Sequence, residues 1–167
     1  NTNPDDTRIK TAVGIFFEDY LNSLRLRKCT KQMLKTISGS CKLGLISNFT
    51  YAPVIYAGLR RVGINDFFNV VLVSEAVRWR KPHVKIFEYA LKKLGVKAEE
   101  ALYVGDNPDE DIKGAKQLNI KTVFVASQFY SLQALLKIEQ KPDAVAKNLC
   151  EAYKKIKEIM NSSYPDF

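Results

Sequence analysis

The chain has 167 residues, of which 46% are hydrophobic and 26% are charged, and its formal net charge is +8. This length and composition exclude a disordered chain and favour one sizeable core with a small appendage. No apolar run approaches the roughly 20 residues that cross a bilayer, so we expect no membrane partner.

The positive charge does not by itself indicate a polyanionic partner. The lysines are spread along predicted helices, as on a solvated face, so we expect no nucleic acid partner. The three cysteines, Cys29, Cys41 and Cys150, have no CxxC spacing, and with the single His83 they cannot form an ordinary structural zinc site. A reducing compartment is the default, and we expect a cytoplasmic protein.

The first predicted element is a helix over residues 7–24. Apolar residues at spacings of three and four form one stripe along it: Ile9, Val13, Phe16, Phe17, Tyr20, Leu21 and Leu24. The members that we expect to pack against apolar surface are Ile9, Val13, Phe16, Tyr20 and Leu24. A second helix is predicted around residues 31–37, and Ser38-Gly39-Ser40 ends it.

Downstream of these helices, short apolar runs alternate with helical segments. The runs are β-branched or aliphatic without strict polar alternation, which is typical of strands buried on both faces. They cover residues 42–47, 70–74, 101–105 and 121–125, with 144–146 as a weaker fifth. The helices between them cover residues 51–62, 82–94 and 109–118. This alternation predicts an α/β fold with a Rossmann-like parallel sheet flanked by helices.

Polar residues that follow the strands are the candidates for chemistry, because ligands bind at the carboxyl ends of parallel strands. Ser47 and Asn48 follow the first run and can hydrogen-bond the oxygens of an anion, although Ser-Asn is also ordinary turn chemistry. Lys81 comes just before a helix that starts with Pro82. It can reach a phosphoryl oxygen or a carboxylate there, or it is a surface lysine beside a helix start.

Four carboxylates crowd the segment after the third run, at Asp106, Asp109, Glu110 and Asp111. Such a cluster repels itself unless something neutralises it, and hard oxygen ligands at a strand end suit magnesium. The alternative is an acidic helix start, because Asp and Glu are favourable in the first helical turn. From this segment alone both interpretations remain open.

These three segments occur together and in one order, and in this the chain resembles the haloacid dehalogenase superfamily of phosphatases and related hydrolases. The resemblance is to members with a helical cap and runs from about Phe16 to Val125. The matching strings are Gly44-Leu45-Ile46-Ser47-Asn48, Gly63-Ile64-Asn65-Asp66-Phe67-Phe68, Ser74-Glu75, Lys81-Pro82-His83 and Val104-Gly105-Asp106 through Ala115. It implies that residues 1–24 carry the last helix of a cap and that residues 25–167 form the Rossmann-like core.

The resemblance also implies roles for individual residues. Ser47 would bind the transferring phosphoryl group, with Asn48 beside it, and Lys81 would be the lysine of the third motif. Asp106 and Asp111 match the acidic pair of the fourth motif, with Asp106 as the expected ligand of Mg²⁺. Ser47 and Lys81 are therefore the catalytic candidates, Ser47, Asn48 and Lys81 the substrate-binding candidates, and Asp106 and Asp111 the metal candidates. The implied partner is a small phosphorylated substrate.

The first motif of the family, an Asp-x-Asp at the end of the first strand, has no match in this sequence. The closest string, residues 14–19, would place Phe17 at the position of the nucleophile, and its periodicity is helical. In the family this strand lies in mid-sheet, between the strands that end at Ser47 and Gly105 in this sequence. Two buried edges would otherwise remain open. We therefore expect a truncated or cleaved protein, or a second chain that supplies the strand, and we favour truncation.

The leading functional hypothesis is a magnesium-dependent phosphatase that hydrolyses a small phosphate ester through an aspartyl-phosphate. The present chain lacks the attacking aspartate and should be inactive alone. A 2-haloacid dehalogenase is an alternative within the same fold, and Asp106 disfavours it because those enzymes do not need a metal. A non-catalytic binding or scaffold protein is another alternative, which the retention of Ser47, Lys81, Asp106 and Asp111 disfavours.

Overall fold

The strands are all parallel in the computed structural model, which describes residues 6–163 apart from the side chains of residues 6, 10, 162 and 163. The strands are β1 (Gly44–Ser47), β2 (Val70–Val73), β3 (Leu102–Gly105), β4 (Lys121–Val125) and β5 (Ala144–Ala146). The helices are α1 (Asp6–Ser23), α2 (Thr30–Ser38), α3 (Ala52–Arg61), α4 (Ser74–Val77), α5 (Val84–Leu94), α6 (Lys113–Lys116) and α7 (Leu149–Ser163). The predicted α/β class is confirmed, and each predicted strand is present.

The strands form two sheets within residues 6–163. β1 pairs with β2, with Gly44 opposite Val70, and β3 pairs with β4, which pairs with β5. No hydrogen-bonded ladder joins β1 to β3 in this part of the chain. Both are therefore edge strands. The family resemblance implies that they are the neighbours of the missing strand.

Helices cover both faces of the strands, because alternate residues of a buried strand point to opposite sides. On one side, α2 and α7 pack against Val123 and Val125 of β4. On the other side, α5 packs against Leu72 of β2, and its Phe87 meets the ring of Tyr103 on β3 with centroids 5.2 Å apart. The cluster under α5 thus contains residues of both sheets.

The first helix is present as predicted, but its packed face differs from the expected one. Phe17 stacks on Tyr51 at 5.4 Å, whereas Phe16 is 77% exposed and Ile9 is 46% exposed. The expectation that Ile9 and Phe16 pack was wrong, because the apolar stripe is wider than the single surface that α3 and the loop before it offer. Leu24, just past the helix, approaches Gly58 of α3 so closely that a Cβ there would lie 2.7 Å from its Cδ1.

Two predicted helices begin or continue differently from the sequence expectation. α5 begins at Val84 and not at Pro82, after a cis Lys81–Pro82 peptide bond. His83 caps it by accepting a hydrogen bond on Nδ1 from the Lys85 N–H at 3.2 Å. The segment predicted as one helix over residues 109–118 is helical, but its first part, the wide turn Pro108–Ile112, is π-helical and runs directly into α6.

A disulfide joins Cys29, just before α2, to Cys150 near the start of α7, with Cα atoms 5.3 Å apart. Cys41 is the free cysteine of the described residues, and burial raises the pKa of its thiol. The default of a reducing compartment did not anticipate this bond. The partners are 121 residues apart, and only the packing of α2 against α7 brings them together.

None of the helices within residues 6–163 has the length and apolar character that crossing a membrane requires.

Candidate active site

The main chain of Lys81 is held by the side chain of Asn48, which follows β1. The Lys81 N–H donates to Asn48 Oδ1 at 2.9 Å, and Asn48 Nδ2 donates back to the Lys81 carbonyl oxygen, also at 2.9 Å. This paired contact fixes the loop before α5 against the end of β1. Asn48 therefore positions Lys81 in this structure. The same contact uses the side-chain amide of Asn48, which was predicted to bind substrate.

The ammonium group of Lys81 lies between the ends of the two sheets. Its Nζ donates to Asp111 Oδ1 at 2.7 Å and to the carbonyl oxygen of Ile46 on β1 at 3.2 Å. The side chains of Lys81 and Asp111 are only 10% and 5% exposed. A buried cation and a buried anion are stable together only when both are well hydrogen-bonded, and this pair meets that condition.

Asp111 has a donor for each of its lone-pair positions. Oδ1 accepts from Lys81 Nζ and from the Tyr103 hydroxyl at 3.1 Å. Oδ2 accepts from the backbone N–H groups of Asp106 at 3.1 Å and Asn107 at 3.0 Å. A carboxylate offers about four acceptor positions, so these four donors fully satisfy its hydrogen-bonding capacity. Asp111 thus fixes both Lys81 and the turn that carries Asp106.

The turn after β3 depends on Gly105 and Asn107. A Cβ on Gly105 would lie 2.6 Å from Asp111 Cβ, which no side chain could tolerate without a shift. Asn107 caps the wide turn by accepting on Oδ1 from the N–H groups of Asp109 and Glu110, and its Nδ2 donates to the Tyr130 hydroxyl at 2.9 Å. The acidic segment is therefore held at several points.

Tyr103 is the inward-facing tyrosine of β3 and was not identified from the sequence. Burial raises its pKa well above the ordinary value of 10.0, and the charge and hydrogen bond of Asp111 raise it further. The phenol therefore stays neutral and donates to the carboxylate. A tyrosine inside a buried strand needs a partner for its hydroxyl, which is the sequence signal that could have revealed it.

Ser47 and Asp106 are the predicted site residues whose side-chain oxygens have no hydrogen-bond partner within residues 6–163. Both follow or end a strand and are only partly exposed. The first residue of α4 holds the loop after Ser47, because the Ser74 hydroxyl accepts from the Phe49 N–H and donates to the Phe49 carbonyl oxygen, each at 3.1 Å. The next residue, Glu75, accepts from the Ala52 N–H at 3.2 Å.

The residues present suit Mg²⁺ only as a site shared with substrate. Residues 6–163 gather no group of three or more His, Cys, Asp or Glu side chains that could hold a metal ion. Mg²⁺ commonly binds through one or two carboxylates together with water and substrate phosphate, so a single free carboxylate is sufficient. Asp106 fits that requirement, whereas Asp111 would have to give up one of its four donors.

A family model for haloacid dehalogenase-like hydrolases matches residues 3–125. The chain is 40% identical over 100 residues to a glyceraldehyde 3-phosphate phosphatase of Methanocaldococcus jannaschii, a match that covers 60% of this chain and 43% of that protein. It is 31% identical over 124 residues to the pyrimidine 5'-nucleotidase YjjG of Escherichia coli, covering 71% of this chain and 54% of the relative. The matches thus span about half the length of these relatives, or less.

Among solved structures, the chain is similar to a phosphatase from Thermococcus onnurineus, with a TM-score of 0.71 and 27% identity. That similarity covers 86% of this chain and 64% of the other. Because these relatives are named as phosphatases, they do not support the alternative hypotheses of a scaffold protein or a dehalogenase. With its matched strings, its parallel fold and these relatives, the chain belongs to the haloacid dehalogenase-like hydrolase family.

Proposed function

We propose that the protein to which this chain belongs is a magnesium-dependent phosphatase acting on a small phosphate ester through an aspartyl-phosphate. The observation that carries the proposal is the position of Lys81, whose ammonium bridges Ile46 on β1 and Asp111 beside β3. Ser47 and Asp106 follow the same two strands with unpartnered oxygens. These positions support the proposal that the cation, the hydroxyl and the free carboxylate act together on one phosphoryl group.

Each residue has a separate role in this proposal. The Ser47 hydroxyl and the Lys81 ammonium hydrogen-bond phosphoryl oxygens and offset the charge that builds up there. Asp106 would hold Mg²⁺, which would supply further positive charge to the phosphoryl group when bound. Asp111 and Asn48 position Lys81. In this proposal Asp111 orients Lys81, and Asp106 is the direct ligand of the metal.

The attacking group is proposed to come from outside the described residues. Ser47 has no histidine beside it to accept its proton, and His83 is engaged as the cap of α5. β1 and β3 each have an unpaired edge within residues 6–163, and one parallel strand could pair with both. We propose that this strand carries an Asp-x-Asp and belongs to an upstream segment of the same protein, with a second chain as the alternative.

The N-terminal helix is proposed to be the last helix of a cap, so that residues 1–24 belong to the cap and residues 25–167 to the core. In this arrangement α1 contacts the core through Phe17, whose ring lies 5.9 Å from Phe49 next to the Ser47-Asn48 pair. The substrate class follows the relatives named for glyceraldehyde 3-phosphate and nucleotides, that is, small phosphorylated metabolites. The proposed compartment is the cytoplasm.

The test is phosphatase activity on p-nitrophenyl phosphate for the 167-residue chain and for the full-length protein encoded by the same gene. We expect turnover only from the full-length protein, abolished by a chelator and restored by Mg²⁺, and strongly lowered by Lys81→Ala. Activity of the 167-residue chain alone, or full activity in chelator, would contradict the proposed mechanism. Lys97→Ala, at an exposed position, is the matched control and should change nothing.

A further inference from the structure

The Cys29–Cys150 disulfide ties the connection between α1 and α2 to the core. Cys29 ends the linker formed by residues 24–29 and has a left-handed backbone, with φ of 70°. Cys150 is the second residue of α7, which packs on β4 and β5 through Ala152 and Ile156. Because α1 otherwise contacts the core mainly at α3 and the loop before it, this bond limits how far the linker can move.

A basic cavity, open to solvent and bordered by exposed cationic side chains, has Cys150 in its lining. It has a volume of about 630 Å³ and lies beyond the carboxyl ends of β4 and β5. Its lining includes Arg27 and Lys28 of the linker and Lys147 before α7, and it contains no acidic side chain. Glu151, the nearest acidic residue in sequence, accepts a hydrogen bond from the Lys147 backbone N–H at 2.8 Å.

We propose that this cavity admits an anionic low-molecular-weight disulfide of the oxidised glutathione type, which oxidises Cys150 and Cys29 and so fastens the linker to α7. Three cations would attract the carboxylates of such a reagent. Cys150 also lies in the first turn of α7, at the positive end of the helix. The thiolate is the attacking form of cysteine. Cys41 differs from Cys150, because burial raises the pKa of the Cys41 thiol and so disfavours its thiolate.

The reaction is two thiol–disulfide exchanges. The Cys150 thiolate attacks one sulfur of oxidised glutathione, breaks its S–S bond and releases one glutathione thiolate. The Cys29 thiolate then attacks the Cys150 sulfur of the mixed disulfide, forms the protein disulfide and releases the second glutathione. Two electrons pass from the cysteines to glutathione, whose two thiolates take up the two protons. The reverse sequence, driven by reduced glutathione, opens the bond.

The first test measures oxidation of the fully reduced chain. We expect oxidised glutathione to form Cys29–Cys150, release two glutathiones per chain and leave Cys41 reduced, as shown by thiol counting and peptide mass mapping. Cys29→Ser should trap one glutathione on Cys150, and Cys41→Ser should behave as the parent. A parent chain in which the pair stays reduced, or in which reduced glutathione cannot reopen the bond, overturns the proposal.

The second test addresses recognition by charge. Cystamine is a disulfide of the same oxidation state that carries two positive charges, so it should oxidise the pair several-fold more slowly than oxidised glutathione. The double variant Lys28→Glu, Lys147→Glu should reverse that order. Equal rates for both reagents in both proteins would overturn the role of the cavity.

The third test measures the consequence for the linker, which contains trypsin sites at Arg25, Arg27 and Lys28. Reduction should speed cleavage there several-fold, since the linker then opens more often. The Cys29→Ser variant should be cleaved at the fast rate with or without reductant. Equal cleavage of the oxidised and reduced parent would overturn the proposed fastening.

Discussion

Lys81 and Asp111 form a buried ion pair, 2.7 Å from Nζ to Oδ1, at the point where the two sheets come together. The two residues differ in the number of their other hydrogen bonds. Lys81 has one further acceptor for its ammonium, the Ile46 carbonyl, whereas Asp111 has three further donors. The consequences of removing either partner should therefore differ.

We predict that Asp111→Ala lowers the free energy of unfolding by about 3 to 5 kcal/mol, because it leaves a buried charge uncompensated. It also removes the acceptor of the Tyr103 hydroxyl and of two backbone N–H groups. Lys81→Met should cost less, because Asp111 keeps three donors. Urea unfolding of the purified chain measures both.

The control for the ion pair is Glu99→Ala. This change removes the contact between Lys97 and Glu99, whose side chains are 76% and 72% exposed. It should leave the unfolding midpoint unchanged. A larger loss for Lys81→Met than for Asp111→Ala would contradict the assignment of Asp111 as the better-connected partner.

We predict that Gly105→Ala destabilises the chain by about 1 to 3 kcal/mol through overpacking against Asp111. The added Cβ would lie 2.6 Å from Asp111 Cβ, so the turn that carries Asp106 must shift. The matched control is Gly14→Ala in α1, where a Cβ meets nothing within 4 Å. There the same change should stabilise by up to about 1 kcal/mol, since alanine is the better helix former. Thermal unfolding of both variants tests this; equal shifts would contradict the packing at Gly105.

Hydrophobic periodicity in the sequence predicted the order of strands and helices because strands buried on both faces leave a distinct pattern. It also predicted that Ser47, Lys81, Asp106 and Asp111 would lie at one edge of the sheet, since residues at the ends of parallel strands share that edge. Lys81 and Asp111 are in contact, and the approach of Ser47 and Asp106 to a shared ligand stays a prediction. What it could not give were contacts made through side-chain geometry. Asn48 turns to the backbone of Lys81, which no spacing indicates.

Two further features depend on tertiary packing and were beyond sequence reasoning. The stripe of α1 is apolar around much of its circumference, so its pattern did not decide that Phe17 packs while Phe16 is exposed. The partners Cys29 and Cys150 are separated by most of the chain, and only the contact of α2 with α7 joins them.

Asp143 gives a prediction on pH dependence. Burial raises its pKa, but hydrogen bonds from Lys116 at 2.6 Å and from the Thr122 N–H at 2.6 Å outweigh this and lower the pKa below the ordinary value of 3.8. A carboxyl whose folded pKa is depressed stabilises the fold fully above its unfolded pKa. That stabilisation is lost as pH falls through the lower, folded value.

Unfolding free energies of the parent and of Asp143→Asn should therefore differ by a constant amount at pH 5 and above. The difference should shrink as the pH falls below 3.8, where the unfolded carboxyl is protonated first. Glu158→Gln, at an exposed pair on α7, is the control and should follow the parent closely. A difference that grows on acidification would contradict a lowered pKa for Asp143 in the folded chain.

The acidic segment after β3 permits the sharpest functional prediction, because its carboxylates differ in their partners. Asp106 has no side-chain partner within residues 6–163, Asp111 has four donors, and Asp109 is exposed. In the full-length protein, Asp106→Asn should lower magnesium-dependent phosphatase turnover by about a hundredfold or more while leaving the unfolding midpoint unchanged. Asp111→Asn should lower both turnover and stability, since the amide has only one oxygen. It cannot accept both from Lys81 and Tyr103 and from the backbone N–H groups of Asp106 and Asn107. Asp109→Asn should change neither. Turnover against Mg²⁺ concentration and urea unfolding, measured on the three variants, separate the metal ligand from the positioning residue. Equal losses for Asp106→Asn and Asp109→Asn would mean that only the summed charge of the segment matters.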